Sequence, residues 1–546
     1  MRKRGNQVES RELAGIVDGA SSAQGPGSES TEIELKLTVD HKDLENLQKS
    51  PIIARLSTGK ANVKSLTSVY YDTDDLRLTH RGFSMRVRSD GRRFVQTVKS
   101  SGSSIGGLSR RGEWEVKVNS LEPKPELVPE PDVRARIGLI LPGSLNPVFE
   151  TRIRRREIVA HEPRGDSLVS MAFDSGEVRA KNGSLPISEI ELELLRGEPV
   201  SLYYFALALL DVVPLNIEPL SKAGRGYALA SGEAPEWKKT KLLTLNRQDS
   251  VETAMSETIR LCIGHWTDNQ AAALDGRDPE GMHQFRVGLR RFRSAVTVFR
   301  RLLPKTQAQW LGGEGRWTIQ QTGPARDWDV FIHDLLAPVI KARPEDEDLI
   351  MLRERAETER ATGYEDAHAP LRSERYNRFM LQLGVWLETR GWQDGLTDAQ
   401  KAKLSQPIAT FAARLLDERH RRALKLGKGF AKLTTDQRHE VRIALKKLRY
   451  TSEFFANLFP GNQVGPYLER LRNMQNDLGH LNDVAMAERL LGGMCSRDAN
   501  PRLAQVCGLV IGWYARLVRE NENASLRDWI AFRDSTVYWR KARKGS

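Results

Sequence analysis

Six short stretches in the first 230 residues place charged side chains at every second position. Glu32, Glu34 and Lys36 alternate with Ile33, Leu35 and Leu37, and Arg86 and Arg88 alternate with Met85 and Val87. Thr97 and Lys99 flank Val98, while Glu113, Glu115 and Lys117 alternate with Trp114, Val116 and Val118. Arg152 and Arg154 flank Ile153, and Glu189, Glu191 and Glu193 alternate with Ile190, Leu192 and Leu194. Side chains along a strand alternate between faces, so each stretch has one apolar face and one face of fixed charge. One such strand is an ordinary solvated edge or a salt-bridge ladder. Six of them, mixing carboxylates with cations, predict a sheet curled so that its polar face lines a cavity, as a closed barrel does. Cations suit a polyanion and carboxylates suit Mg²⁺ or Mn²⁺. Together they read as phosphoryl chemistry.

A second set of candidates lies further along. Met282-His-Gln-Phe-Arg-Val-Gly-Leu-Arg-Arg-Phe-Arg293 matches Arg438-His-Glu-Val-Arg-Ile-Ala-Leu-Lys-Lys-Leu-Arg449. Gly323-Pro-Ala-Arg-Asp327 aligns with Gly479-His-Leu-Asn-Asp483 at the same interval of 156 residues. Two blocks in one register indicate a duplicated unit. At spacings of three and four, His283, Arg286, Arg290 and Arg293 form one helical stripe, and His439, Arg442, Lys446 and Arg449 form its copy. Like charges at this spacing repel, so the stripes make sense as two equivalent anion-binding faces; the plainer reading pairs them with Asp327 and Asp483. No His-x₃-His or Cys/His cluster supports metal ligation there.

The elements that position these residues follow from periodicity. Strand patterns dominate residues 31–195, with Gly82–Lys99 as a hairpin turning at Ser89-Asp90-Gly91 and a further turn at Pro142-Gly143. Leu202 to Val213 reads as a buried helix. Gly232 to Asn246 is polar, contains a proline and has no period. From about residue 248 the apolar pattern is helical, through Leu261, Leu289, Phe292, Val296, Phe299, Leu445, Leu448 and Phe455. The expected organisation is a disordered segment 1–29, a β domain 30–230, a linker 231–247 and a helical domain 248–540 with two repeats.

Length and charge agree with two domains. The chain has 546 residues and a formal net charge of +13, of which roughly +2 falls in residues 30–230 and roughly +11 in residues 231–546. The helical part should therefore attract polyanions. Cys262, Cys495 and Cys507 form no Cys-x-x-Cys pair, which excludes a disulfide framework or zinc knuckle and suits a reducing cytoplasm. The basic start Met1-Arg-Lys-Arg4 lacks an apolar h-region, and no run of about 18 apolar residues occurs, so neither signal peptide nor membrane span is expected.

Two family resemblances gather these observations. Residues 30–230 resemble the CYTH family of triphosphate tunnel metalloenzymes, through Glu32-Ile-Glu-Leu-Lys36, Arg86-Val-Arg88, Thr97-Val-Lys99, Arg111-Gly-Glu-Trp-Glu115, Arg152-Ile-Arg154, Asp174, Glu191-Leu-Glu193 and Ser221-Lys222. Residues 248–540 resemble a CHAD domain through the two repeat blocks. The pair resembles bacterial CYTH–CHAD proteins, several of which are inorganic triphosphatases. The resemblance implies an α+β chain, a closed antiparallel β-barrel followed by an all-α duplicated bundle. It assigns Glu32, Glu34, Asp174, Glu191 and Glu193 to Mg²⁺ or Mn²⁺. Lys36, Lys99 and Lys222 are assigned to the reacting phosphates, and Arg86, Arg88, Arg111, Arg152 and Arg154 to substrate binding. It implies hydrolysis of tripolyphosphate to orthophosphate and pyrophosphate, polyphosphate binding by the two stripes, and a cytoplasmic location at polyphosphate granules. Specific nucleic-acid binding is not expected. The alternatives are a tunnel enzyme for nucleoside or thiamine triphosphate, with Tyr70, Tyr71 and Phe83 as candidate base-stacking groups, and a non-catalytic polyphosphate-binding protein.

Overall fold

The computed structural model describes residues 31–140, 144–162, 165–498, 500–520 and 522–540. The segment 1–29 and the turn at Pro142-Gly143 lie outside the described residues, as do the side chains of residues 480–482 in the second repeat block.

Among the described residues, ten antiparallel strands form the N-terminal part: β1 (Thr31–Thr38), β2 (Asn62–Asp72), β3 (Phe83–Ser89), β4 (Phe94–Ser100), β5 (Ser103–Ile105), β6 (Leu108–Val118), β7 (Asn146–His161), β8 (Leu168–Ala180), β9 (Gly183–Arg196) and β10 (Asn216–Ile217). Eight of them close a barrel in the order β1-β9-β8-β7-β2-β3-β4-β6, with β6 returning to β1. The short strands β5 and β10 add to β6 and β1 outside the ring. At the β3–β4 turn, the Asp90 carboxylate accepts from the amides of Arg92 and Arg93, and Gly91 takes the left-handed φ of +86° that such a turn favours.

The outer apolar face of β1, β8 and β9 packs under the helix Val200–Leu210 and the helices His41–Gln48 and Pro51–Leu56, with Leu35, Leu37, Phe173, Ile190 and Leu202 at its centre. Inside the barrel, the inner positions at one end are apolar. Tyr70, Phe149, Ile153, Val178 and Ile187 pack there with Tyr227 of the helix Lys222–Ser231, which plugs that end. Tyr70 stacks on Phe149 at 4.4 Å, and a Cβ at Gly226 would lie 2.1 Å from the Phe149 ring, so only glycine lets the plug helix seat this closely.

The remainder is helical. The helix Pro279–Phe299 buries Met282, Phe285, Leu289, Phe292, Val296 and Phe299 at spacings of three and four, which is the amphipathic pattern of its sequence. Gly288 admits Trp266 of the neighbouring helix Val251–Thr267. The equivalent helix of the second repeat, Thr435–Phe454, buries Val441, Leu445 and Leu448 in the same way. Residues 232–246 form no regular element but are fastened to the helices: Trp237 donates to Asp278 at 2.8 Å, and Asn269 bonds both the amide and the carbonyl of Lys238. Among the described residues no helix is long and apolar enough to cross a membrane.

Candidate functional site

The strand register decides which charges face inward. Arg86 and Arg88 oppose Tyr70 and Ser68 across β3–β2 and Thr97 and Val95 across β3–β4. Thr97 and Lys99 oppose Glu115 and Glu113, and Arg111 opposes Glu32. Glu34 and Lys36 oppose Glu193 and Glu191, which follow Glu189 opposite Asp174, and Asp174 opposes Arg155. These residues line one continuous inner face. Glu34, Lys36, Asp174, Glu189 and Lys222 are all buried.

Arg152 and Arg154 are not on that face. Both are exposed on the outer wall of β7, and Arg152 pairs with Glu150 at 2.9 Å. The inward residue is Arg155, in phase with Thr151 and Ile153; it donates to Asp174 at 2.8 and 2.7 Å and to Glu191 at 2.5 Å. The run Arg154-Arg155-Arg156 allows either phase, and a one-residue slip exchanges the two faces. The phase was readable from Ile158 and Ala160, whose even positions pack under the outer helices.

The interior charges form two groups. In the first, Lys99 donates to Glu32 at 2.7 Å and lies 3.0 Å from Glu113, and Arg111 bonds both Glu32 and Glu34. Lys36 bonds Glu34 at 2.5 Å and lies 3.7 Å from Glu191. Glu193 faces this group without an ion pair among the described residues; burial, then the charges of Glu32 and Glu113, push its carboxyl up to about 7. In the second group, Asp174, Glu189 and Glu191 offer ligand oxygens all within 4.8 Å of one another, a trio able to hold a metal ion. Lys222 reaches into this trio from the plug helix, 2.6 Å from Asp174 and 3.0 Å from Glu191, and also bonds Glu189. Burial raises the Asp174 and Glu191 carboxyls, but Lys222 and Arg155 outweigh it and hold both below the usual range. Glu189 and Arg155 are the site residues that spacing alone left unassigned.

Between the groups stands a cationic wall. Arg86 donates to the Tyr70 hydroxyl at 3.3 Å and lies 3.9 Å from Glu113. Arg88 has no ion pair among the described residues; burial, then Arg86 and Arg155, push its guanidinium down to about 10. Tyr71 and Phe83 point outward. Tyr71 packs with Val87 and Val118, and Phe83 packs with Leu78 and Val133.

In the helical part the two stripes do not form separate faces. They converge on one cleft of about 270 Å³ lined by Arg290, Arg442, Lys446, Arg449, Tyr450, Gln475 and Asn476. Burial, then Arg290, Arg442, Arg449 and Arg293, push the Lys446 ammonium down to about 8. Arg286 turns away and donates to the Ile319 carbonyl at 2.6 Å and to Thr322 at 3.1 Å. His283 is half-buried and pushed down to about 4 by burial and by Arg326, Arg290 and Arg286, so it is neutral at pH 7. His439 is exposed. Asp327 pairs with Arg489 at 2.6 Å rather than with its own stripe.

Comparison with known proteins agrees with this geometry. The CYTH domain profile matches residues 30–227 and the CHAD domain profile residues 257–492. An inorganic triphosphatase of Haemophilus influenzae is 28% identical over 206 residues, covering 37% of this chain and 55% of that protein, so the chain spans about half the length of this relative. An uncharacterized protein of Mycobacterium tuberculosis is 24% identical over 434 residues, covering 73% of this chain and 78% of its own length. The crystal structure of the CHAD domain from Ricinus communis covers 56% of this chain and 98% of its own at 26% identity, with a TM-score of 0.47. With a closed barrel whose charges face inward and a duplicated helical unit behind it, the chain is a CYTH domain, residues 30–227, followed by a CHAD domain, residues 257–492.

Proposed function

We propose that the barrel hydrolyses inorganic tripolyphosphate to orthophosphate and pyrophosphate with a divalent cation, and that the helical cleft binds polyphosphate. The observation that carries the reading is Arg88. It is an inward guanidinium in no ion pair among the described residues, disfavoured by burial and by Arg86 and Arg155 more than Glu115 offsets, so a phosphate would supply the balancing charge. Arg86, Arg88, Arg155 and Lys99 would hold non-bridging oxygens, where charge-assisted bonds act in a water-poor interior. Lys36 and Lys222 would neutralise the reacting phosphates. Phosphoryl transfer demands positioning and charge neutralisation more than covalent help, and this lining offers both.

The carboxylates fit a hard divalent cation. Glu193, facing Glu32 and Glu34 and raised to about 7, is where added positive charge gains most. Glu32, Glu34 and Glu193 would hold Mg²⁺ or Mn²⁺, with Asp174, Glu189 and Glu191 as a further set; ion pairs now neutralise members of both, from Lys99, Arg111 and Lys36 in the first and from Lys222 and Arg155 in the second. A bound ion would screen the phosphate chain and lower the pKa of a water. With one end plugged by the helix Lys222–Ser231, a short chain would enter terminus-first from the opposite end. Tyr70 is committed to Phe149, and Tyr71 and Phe83 face outward, so none of the three is free to stack a base. This favours an inorganic substrate over a nucleotide.

The test is turnover of tripolyphosphate, ATP, thiamine triphosphate and long-chain polyphosphate, each with Mg²⁺ and Mn²⁺. Tripolyphosphate should be cleaved fastest and only with metal. Equal turnover of ATP, or none of any substrate, contradicts the proposal.

A further inference from the structure

The two domains share a wall, and that wall backs the carboxylate end of the tunnel. Strand β10 is only two residues long, pairing Ile217 with Leu37 and Asn216 with Thr38, and the Glu218 amide bonds the Lys36 carbonyl at 2.9 Å. A strand this short does not hold itself. Its outer edge is taken by a side chain of the helical domain: the Ile217 amide donates to Asn377 Oδ1 at 2.9 Å, and Asn377 Nδ2 donates to Asn216 Oδ1 at 2.9 Å. Asn377 is fully buried and lies on the helix Glu374–Glu388.

The far end of that helix grips the neighbouring strand. Glu388 accepts from Arg110 of β6 at 3.0 Å and from Arg260 of the helix Val251–Thr267 at 3.1 Å. Arg110 adjoins Arg111, which bonds Glu32 and Glu34 inside the barrel. Between the two grips, Leu381 is buried in the barrel-side core. Gly384 lies against Tyr203 so closely that a Cβ there would sit 2.2 Å from the ring.

We propose that the helix Glu374–Glu388 is a positioning element of the tunnel, setting β10 and β6 and through them the side chains Glu32, Glu34, Lys36 and Arg111 on β1 and β6. Asn377 and Glu388 are positioning residues, since neither reaches the tunnel interior.

The test uses the full chain and its variants Gly384→Ala, a wedge that leaves every polar contact intact in kind, and Asn377→Leu. Hydrogen–deuterium exchange reads the effect without reference to activity. Amides of β1 and β10 should exchange about tenfold faster in Asn377→Leu, the loss expected for two hydrogen bonds of ordinary net strength, and faster than wild type in Gly384→Ala, where the wedge against Tyr203 displaces the helix. The β7–β8 hairpin and the helix Pro279–Phe299 should be unchanged. In turnover of tripolyphosphate with Mg²⁺, KM should rise more than kcat falls, an arm that rests on the proposed function. Wild-type protein without turnover would defeat the proposed function while leaving the exchange result to decide this one. Unchanged β1 and β10 exchange in both variants overturns the proposal. So does equal acceleration in the β7–β8 hairpin, which would make the contact a general prop.

Discussion

Lys222 in the tunnel and Lys446 in the helical cleft are both largely buried lysines among charged neighbours, yet they are shifted in opposite directions. Burial works against the Lys222 charge, but Asp174, Glu189 and Glu191 outweigh it and hold the ammonium above the usual lysine range. Around Lys446 burial is joined by Arg290, Arg442, Arg449 and Arg293, and the ammonium falls to about 8. The tunnel interleaves carboxylates with its cations; in the cleft the lining cations outnumber their partners, with Arg449 lying 3.6 Å from Glu453. A site with interleaved carboxylates and cations can hold a metal and a phosphate chain side by side. A cleft lined mainly by cations suits a polyanion, and the carboxylate trio able to hold a metal lies in the tunnel. The proposed division of labour between the domains rests on that contrast.

The largest effect is expected where the tunnel lacks a cation. Glu193→Gln removes a carboxylate that pairs with no cation among the described residues, so the fold should survive. Metal-dependent turnover should fall about 100-fold or more, the scale on which lost transition-state electrostatics is felt. Activity near wild type at limiting Mg²⁺ would remove Glu193 from the metal set.

Next is the contrast between the two faces of the barrel wall. Arg88→Ala should weaken tripolyphosphate binding by roughly 1.5–3 kcal/mol, the strength of a hydrogen bond to a charged group. Arg154→Ala, on the outer face of β7, should change it by less than about 0.5 kcal/mol. Calorimetric titration of both variants checks this, and an equal loss in the two would mean that the assigned register of β7 is wrong.

The cleft should respond to pH near 8. Lys446 must be protonated to help bind an anion, and in the unliganded protein it loses its proton near pH 8. Polyphosphate bound there would raise that pKa, so affinity should be full below about 8 and fall as pH rises through it, by at most about tenfold per pH unit. Lys446→Arg, which stays charged, should flatten the profile. A pH-independent affinity in the unsubstituted protein would take Lys446 out of the site.

The smallest effect concerns stability. Glu193 has a raised folded pKa, so its contribution is full below the unfolded value and is lost as pH rises through about 7. Metal-free protein should therefore lose on the order of 1 kcal/mol between pH 5 and 8, after discounting for solvent screening. Mg²⁺ should restore it, and Glu193→Gln should abolish the trend. Thermal melts across that range decide the matter.

The comparison also shows what could be read from the chain and what could not. Alternation of charge and hydrophobicity located β1, β3, β4, β6 and β9 and predicted a closed barrel, because a period of two leaves little choice of face when apolar and charged residues strictly alternate. On β7 the same rule failed locally, since three consecutive arginines carry no phase and the answer lay in Ile158 and Ala160 further along the strand. The repeat located the helices Pro279–Phe299 and Thr435–Phe454 but not their convergence, which depends on how the two helices cross and not on either sequence. Arg286 illustrates the limit: its spacing matches the stripe, while its guanidinium is spent on the Ile319 carbonyl and Thr322. Asn377 and Gly384 carry no motif at all, and their contacts appear only when two distant stretches of chain meet.

The most direct test of the division between chemistry and binding uses two full-length variants and two assays. Glu193→Gln and Lys446→Ala are each measured for Mg²⁺-dependent tripolyphosphate turnover and for long-chain polyphosphate affinity below pH 8. Glu193→Gln should lose turnover and keep the affinity, and Lys446→Ala should keep turnover and lose affinity. Loss of both properties in either variant, or turnover that survives in Glu193→Gln, would contradict the assignment of chemistry to the tunnel and binding to the cleft.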